Sequence, residues 1–174
     1  LHCSMAGTVH PSAVLLAQEL LDIAPPGLTR VFYSDNGSTS VEVALKMAFQ
    51  FWQQNGKPRR TRFLALPGGY HGDTIGAMAV GNVGAFNGLF APLFPGGRAA
   101  AEGLPDPSHA DDDAGWDALF AALEATLRSD ADEIAAVIVE PLIQGAAGMR
   151  TYPERDLRRL RGVTREVDTF LVCD

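Results

Sequence analysis

The sequence predicts an α/β domain with a mostly parallel sheet and helices on both of its faces. Three observations point there. Short apolar runs alternate with segments of helical period along the 174 residues. The run Ile134–Val139 is apolar without a break, as in a strand buried on both faces of a parallel sheet. Small and polar residues gather directly after the apolar runs, where such sheets keep their ligand sites. No internal repeat appears. The length suits one domain, 1–174, but is short for a complete two-domain enzyme.

Each element has its own signal. Residues 12–23 read as a helix, with Leu16, Leu20 and Ile23 at helical spacing and Ser12, behind Pro11, as its cap. Pro25, Pro26 and Gly27 end it. Val31, Phe32 and Tyr33 form a short strand that runs into Ser34–Asp35–Asn36–Gly37–Ser38. A second helix starts near Ser38, carries Val41, Leu45, Ala48, Phe49 and Trp52 on one face, and stops at Asn55–Gly56. The strand Arg62–Leu66 leads into Pro67–Gly68–Gly69 and Tyr70–His71–Gly72–Asp73–Thr74. Residues 81–115, rich in Gly, Pro, Ala and Asp and without a period, read as a long surface excursion. Trp116, Leu119, Phe120, Leu123 and Leu127 face inward from one helix. After Ile134–Val139 comes Glu140–Pro141, then a helix over roughly 153–167 with Pro153 in its first turn, then a last strand, Phe170–Cys173.

Composition excludes several classes. Hydrophobic residues make up 47% and charged residues 20%, which is globular rather than disordered. The net charge of −7 leaves no footprint for a phosphate backbone, so no nucleic-acid partner is expected. The arginines at 155, 158, 159, 161 and 165 fall at helical spacing among Leu157, Leu160 and Val163, as the solvated face of an amphipathic helix does. Cys3 and Cys173 form no CxxC pair and have no histidine at metal-ligand spacing, so neither zinc nor a disulfide framework is expected. Cys173 reads as a small buried hydrophobe. No stretch is apolar enough for a membrane span and no signal peptide opens the chain, so a cytoplasmic setting is the default. The chain starts without methionine and stops at Asp174 directly after a strand-like run, which is the expectation for a fragment.

The chemistry belongs at the strand ends. Asn36–Gly37–Ser38 ahead of a helix makes an anion site: backbone N–H groups and the positive end of the helix dipole face a ligand, and the Ser38 hydroxyl can donate to a phosphate oxygen. The same tripeptide serves equally well as an ordinary turn and cap. Tyr70 and His71 offer an aromatic face for a planar ring, or pack on the sheet edge. Asp73 is a candidate N-cap with Thr74. Glu140 suits an acid or base, or is a plain strand-end carboxylate. Asp174 suits a cationic ring nitrogen, because an ionised carboxylate keeps such a nitrogen protonated. A hydrolase elbow of the G-x-S-x-G kind is absent, and so is a G-x-G-x-x-G dinucleotide turn after the first strand.

Together these segments resemble one family. Phe32–Tyr33–Ser34–Asp35–Asn36–Gly37–Ser38, followed by Val41–Glu42–Val43–Ala44–Leu45–Lys46–Met47–Ala48, resembles the cofactor phosphate-binding turn and helix of class III pyridoxal-phosphate (PLP) aminotransferases. Gly69–Tyr70–His71–Gly72–Asp73–Thr74 resembles the family's YHG segment, and Val139–Glu140–Pro141–Leu142–Ile143–Gln144–Gly145 its EP…QG loop. Leu171–Val172–Cys173–Asp174 resembles the strand that ends in its Asp–Glu pair.

The resemblance implies an incomplete fold-type I large domain with PLP as cofactor. Gly37 and Ser38 would hold the phosphate, Tyr70 would stack on the pyridine ring and Asp174 would pair with its nitrogen. Glu140 would order that network, and Gln144 would lie in the loop near the cofactor. The lysine that carries PLP as a Schiff base is missing: the chain's lysines are Lys46 and Lys57, and neither matches its motif. The small domain is missing too, so the chain alone is not expected to turn over. Within the family, Ser34–Asp35–Asn36–Gly37–Ser38, Gly72–Asp73–Thr74–Ile75–Gly76–Ala77–Met78 and Gln144–Gly145–Ala146–Ala147–Gly148–Met149 are most similar to the members that serve biotin synthesis. Those members transfer an amino group from S-adenosylmethionine to 8-amino-7-oxononanoate. The apolar Ala146–Ala147–Gly148, where many glutamate-using members carry a glutamate, fits such a donor. A homodimer is implied as well. An ω-amino acid or diamine transaminase, and an inactive relative with a binding role, are the alternatives.

Overall fold

A computed structural model describes residues 7–81, 83, 88–94, 104–106 and 113–174. The chain forms two compact units, Leu1–Ser34 and Asp35–Asp174.

In the first unit, helix α1 (Pro11–Ile23) is capped by His10, whose side chain accepts from the Ala13 N–H. The expected cap, Ser12, lies inside the helix instead. Pro11 has the right φ for a first turn and lacks the N–H that this position leaves unbonded, so the helix starts at Pro11, one residue before Ser12. Leu16, Leu20 and Ile23 are exposed. The strand expected at 31–33 is not formed: no described strand pairs with it, and Tyr33 donates its hydroxyl to the Ala13 carbonyl at 2.6 Å.

The second unit runs α2 (Gly37–Gln54), β1 (Arg62–Ala65), α3 (Ile75–Val80), a 3-10 turn (Gly88–Leu93), α4 (Asp113–Ser129), β2 (Ile134–Val139), β3 (Ile143–Gln144), β4 (Arg150–Thr151), α5 (Glu154–Glu166) and β5 (Phe170–Cys173). The main sheet is parallel in the order β1-β2-β5, with Leu64 opposite Val137 and Val137 opposite Leu171. β3 and β4 pair antiparallel as a small hairpin. Of the excursion expected at 81–115, the described residues are 81, 83, 88–94, 104–106 and the start of α4, with the 3-10 turn among them; the remainder lies outside the described residues.

All of β2 is buried, and alternation splits its side chains between two cores. Val137 and Val139 meet Leu64 and Leu66, the α4 residues Trp116, Leu119, Phe120, Leu123 and Leu127, and Leu160 and Val163 of α5. Ile138 meets Ala65, Val41 and Leu45 of α2, and Ala77 and Val80 of α3. Helices therefore cover both faces, as expected. Trp52 fastens α2 to the sheet by donating Nε1–H to the Ala135 carbonyl at 2.8 Å.

Three expectations are corrected. Phe49 is exposed, because the inward stripe of α2 runs Val41, Leu45, Ala48, Trp52 and Phe49 falls beside it. Cys173 is exposed rather than buried, since among the described residues β5 pairs with β2 alone. Pro153 is the N-cap of α5, not a first-turn residue; with ψ at 142° it is still extended, and the helix begins at Glu154.

Candidate active site

The carboxyl ends of β1, β2 and β5 and the start of α2 meet at one end of the sheet. Asn36 caps α2: its side chain accepts from the Thr39 N–H at 3.0 Å, and the Thr39 hydroxyl oxygen accepts from the Asn36 N–H at 3.0 Å. Gly37 and Ser38 follow in the first turn, where backbone N–H groups have no intrahelical acceptor. With the dipole of an 18-residue helix behind them, they form a seat for an anion.

The loop after β1 lies flat on this seat. Gly72 holds φ +113°, and a Cβ there would come within 2.6 Å of the Ser38 Cβ and 2.9 Å of its Cα, so only glycine lets the loop settle. Thr74 donates its N–H to the Ser38 Oγ at 3.0 Å, and the two hydroxyls meet at 2.8 Å. Tyr70, half-buried, donates its hydroxyl to Asp73 Oδ2 at 2.9 Å, and this bond raises the phenol above its ordinary value. Asp73 is therefore a partner of Tyr70, and the N-cap of α3 is Thr74, whose side chain makes no capping bond.

Asp174 follows β5, anchored by its N–H to the Val139 carbonyl at 2.9 Å. Its Oδ2 lies 2.8 Å from Nδ1 of His71, whose ring is buried. A carboxylate only accepts, so Nδ1 carries the proton. The other ring nitrogen, Nε2, is buried without a partner.

Glu140, after β2, braces two loops at once. Its Oε1 accepts from the Tyr70 N–H at 2.9 Å and its Oε2 from the Gly145 N–H at 2.8 Å. Tyr152 donates its hydroxyl to the Glu140 carbonyl at 2.7 Å. Gln144 is fully buried: its Nε2 donates to the Pro67 carbonyl at 2.9 Å, and its Oε1 accepts from Arg150 Nη2 at 2.7 Å. Arg150 also reaches Pro67 O and Asp106, which ties the hairpin to the end of β1.

Asn36, Gly37, Ser38, Tyr70, His71, Gly72, Asp73, Thr74 and Asp174 line an open cleft of about 520 Å³. The sequence candidates Gly37, Ser38, Tyr70 and Asp174 thus converge, whereas Glu140 and Gln144 stand outside the lining. Sequence reading missed the His71–Asp174 bond, which joins residues 103 positions apart, and the roles of Thr74, Glu42 and Arg150. The one available signal was the four-residue spacing of Ser38 and Glu42 on a helix. Among the described residues no His, Cys, Asp and Glu group is arranged to hold a metal ion, and no helix is long and apolar enough to cross a membrane.

The donor set fits PLP. A phosphate needs N–H groups and positive potential, a protonated ring nitrogen needs a carboxylate, and the cleft offers both. The chain matches the family model for aminotransferase class-III over residues 1–174. It belongs to the class III aminotransferases. These enzymes depend on PLP, and the α/β fold described above is part of that of a PLP-dependent transaminase.

The chain is 44% identical to the adenosylmethionine-8-amino-7-oxononanoate aminotransferase of Geobacter sulfurreducens, over 99% of this chain and 39% of that protein. It is 46% identical to the protein of the same name from Synechococcus elongatus, over 99% and 40%. Among solved structures it superposes on the same-named protein of Methanocaldococcus jannaschii with a TM-score of 0.86 at 35% identity, covering 99% of this chain and 37% of that one. An omega transaminase of Pseudomonas jessenii in complex with PMP gives 0.85 at 25%, covering 99% and 39%. This class III chain spans about two-fifths of the length of the curated relatives it matches.

Proposed function

We propose that this chain supplies the cofactor-binding part of an aminotransferase that takes an amino group from S-adenosylmethionine and passes it to 8-amino-7-oxononanoate, in the synthesis of biotin. The observation that carries the chemistry is the meeting, in one cleft, of the α2 N-terminus with the His71-held carboxylate of Asp174. The choice of substrates is supported by the 44% and 46% identity to relatives that bear that name.

When bound, PLP supplies an electron sink for negative charge at the amino-bearing carbon. The chain's residues prepare for it. Gly37 and Ser38 present N–H groups to the phosphate. Asp174 would keep a proton on the ring nitrogen, and the Nδ1–H of His71 fixes the orientation of that carboxylate. Tyr70, its backbone set by Glu140 and its hydroxyl by Asp73, would cover a ring face. Gln144 acts at one remove, by joining the hairpin to Pro67. Lys57 is engaged with Asp168 at 2.6 Å and Lys46 is exposed on α2; neither lines the cleft, so the cofactor-bonding lysine comes from elsewhere in the protein. The functional unit is a cytoplasmic homodimer that acts on small molecules.

The complete protein, loaded with PLP, tests this. S-adenosylmethionine, alanine and an ω-amino acid are added singly while the cofactor absorbance is followed. Conversion to the pyridoxamine form with S-adenosylmethionine alone is expected. Conversion only with another amine would reject this donor and leave an ω-amino acid or diamine transaminase; a protein that takes up PLP but converts it with no donor would be an inactive relative.

A further inference from the structure

Glu42 does not line the cleft, yet it terminates the hydrogen bonds that build it. Ser38 and Glu42 lie four residues apart on α2 and so share a face, one turn apart. Thr74 stands between them. Glu42 Oε1 accepts from the Thr74 hydroxyl at 2.6 Å, from the Gly76 N–H at 2.8 Å and from the Ala77 N–H at 3.3 Å. The single hydroxyl proton of Thr74 is thereby committed to Glu42. In the 2.8 Å contact between the two hydroxyls, Thr74 must then accept and Ser38 must donate. The Thr74 N–H fills the acceptor side of Ser38 Oγ.

The protons therefore run one way, from Ser38 to Thr74 to Glu42. The Ser38 hydroxyl proton is engaged inside the protein, and an anion at the start of α2 is left to the backbone N–H groups and the helix dipole. The packing around these groups is close. A side chain at Gly76 would overlap the Glu42 carboxylate, and one at Gly72 would overlap Ser38.

We propose that Glu42 is a positioning residue for the phosphate subsite. Through Thr74 it fixes Ser38 and moors the Tyr70–Thr74 loop on the α2 N-terminus, so that the Gly37 and Ser38 N–H groups stay open to the phosphate. The proposal rests on the assignment of the cleft to PLP and adds a residue that never touches the cofactor.

The test separates a phosphate effect from a general loss of structure. The complete protein, stripped of cofactor, is titrated with PLP and with pyridoxal, the same ring without the phosphate, while its tryptophan fluorescence is followed. Glu42→Ala is expected to weaken PLP roughly tenfold, as loss of a charge-assisted bond does, and to leave pyridoxal unchanged. Glu42→Gln keeps an acceptor oxygen and should restore most of the preference. Thr74→Val should match Glu42→Ala, and the double variant should be no worse than either single one, because both cut the same chain.

A parallel fall for both ligands, or no change for either, would overturn the proposal. If Glu42→Ala does not fold, the PLP-to-pyridoxal ratios of Thr74→Val and Glu42→Gln decide. Wild-type protein that binds PLP no better than pyridoxal would instead remove the phosphate subsite itself, and the proposal with it.

Discussion

The two faces of the sheet are held by different forces. On one, α4 and α5 bury Trp116, Leu119, Phe120, Leu123, Leu127 and Leu160 against Leu64, Val137 and Val139. Large apolar side chains fill that core, and its strength scales with the area removed from water. On the other, α2 and α3 meet the sheet through Trp52 and the smaller Val41, Leu45, Ala77 and Val80, and the two helices are joined by the hydrogen bonds of Glu42, Thr74 and Ser38. The first face is a foundation and the second an instrument. Substitutions should divide accordingly: the α4–α5 face sets stability, and the α2–α3 face sets what the cleft binds.

The largest effect is expected from Phe120→Ala, which empties a fully buried position and should lower stability by about 3–5 kcal/mol in denaturant unfolding of the complete protein. In the protein that remains folded, the preference for PLP over pyridoxal should be unchanged. A loss of preference equal to that of Thr74→Val would erase the distinction between the faces.

Tyr152 joins the foundation to the cleft, being packed on Trp116 and Phe120 while it donates to the Glu140 carbonyl. Burial pushes its phenol up from 10.0 to about 12. Between those values the folded protein keeps a proton that the unfolded chain loses. The stability this contributes is whole below the ordinary tyrosine value and is lost as pH rises toward 12, on the order of 2–3 kcal/mol. Tyr152→Phe should unfold with a flatter alkaline limb, whereas an unchanged limb would place the titration elsewhere.

Gly72→Ala tests the instrument directly. Its positive φ and the clash with Ser38 should cost about 1–2 kcal/mol and weaken PLP more than pyridoxal. The smallest effect is expected far from both. Asp168 is exposed and held below the usual carboxylate range by its bond to Lys57. Asp168→Asn keeps a residue that tolerates the φ of 54° and should lower stability by a few tenths of a kcal/mol at neutral pH. Because the carboxyl's value is depressed in the fold, its contribution exists above the ordinary aspartate value and disappears in acid, where the variant and the parent should converge.

The same contrast explains what the sequence disclosed. Periodicity reports apolar burial, so the inward residues of α4, all of β2 and the inward stripe of α2 were legible, with Phe49 the one residue assigned to the wrong side. The local motifs located Gly37, Ser38, Tyr70 and Asp174, which the fold gathers around one cleft. Hydrogen bonds between distant side chains leave no period, so the pairing of His71 with Asp174 and the relay to Glu42 appeared only in three dimensions.

The β3–β4 hairpin escaped for a local reason. It is flanked by Leu142 at φ 70° and Met149 at φ 59°, conformations that neither residue favours and that neither side chain announces. Val31–Phe32–Tyr33 failed in the opposite sense: its composition suits a strand, but a strand exists only where another lies beside it.

The most direct test of the cleft's assignment is a crystal structure of the complete protein with PLP. The account predicts the phosphate against the Gly37 and Ser38 N–H groups and the ring nitrogen facing Asp174. A cofactor seated away from the α2 N-terminus, with solvent between His71-bound Asp174 and Ser38, would contradict it.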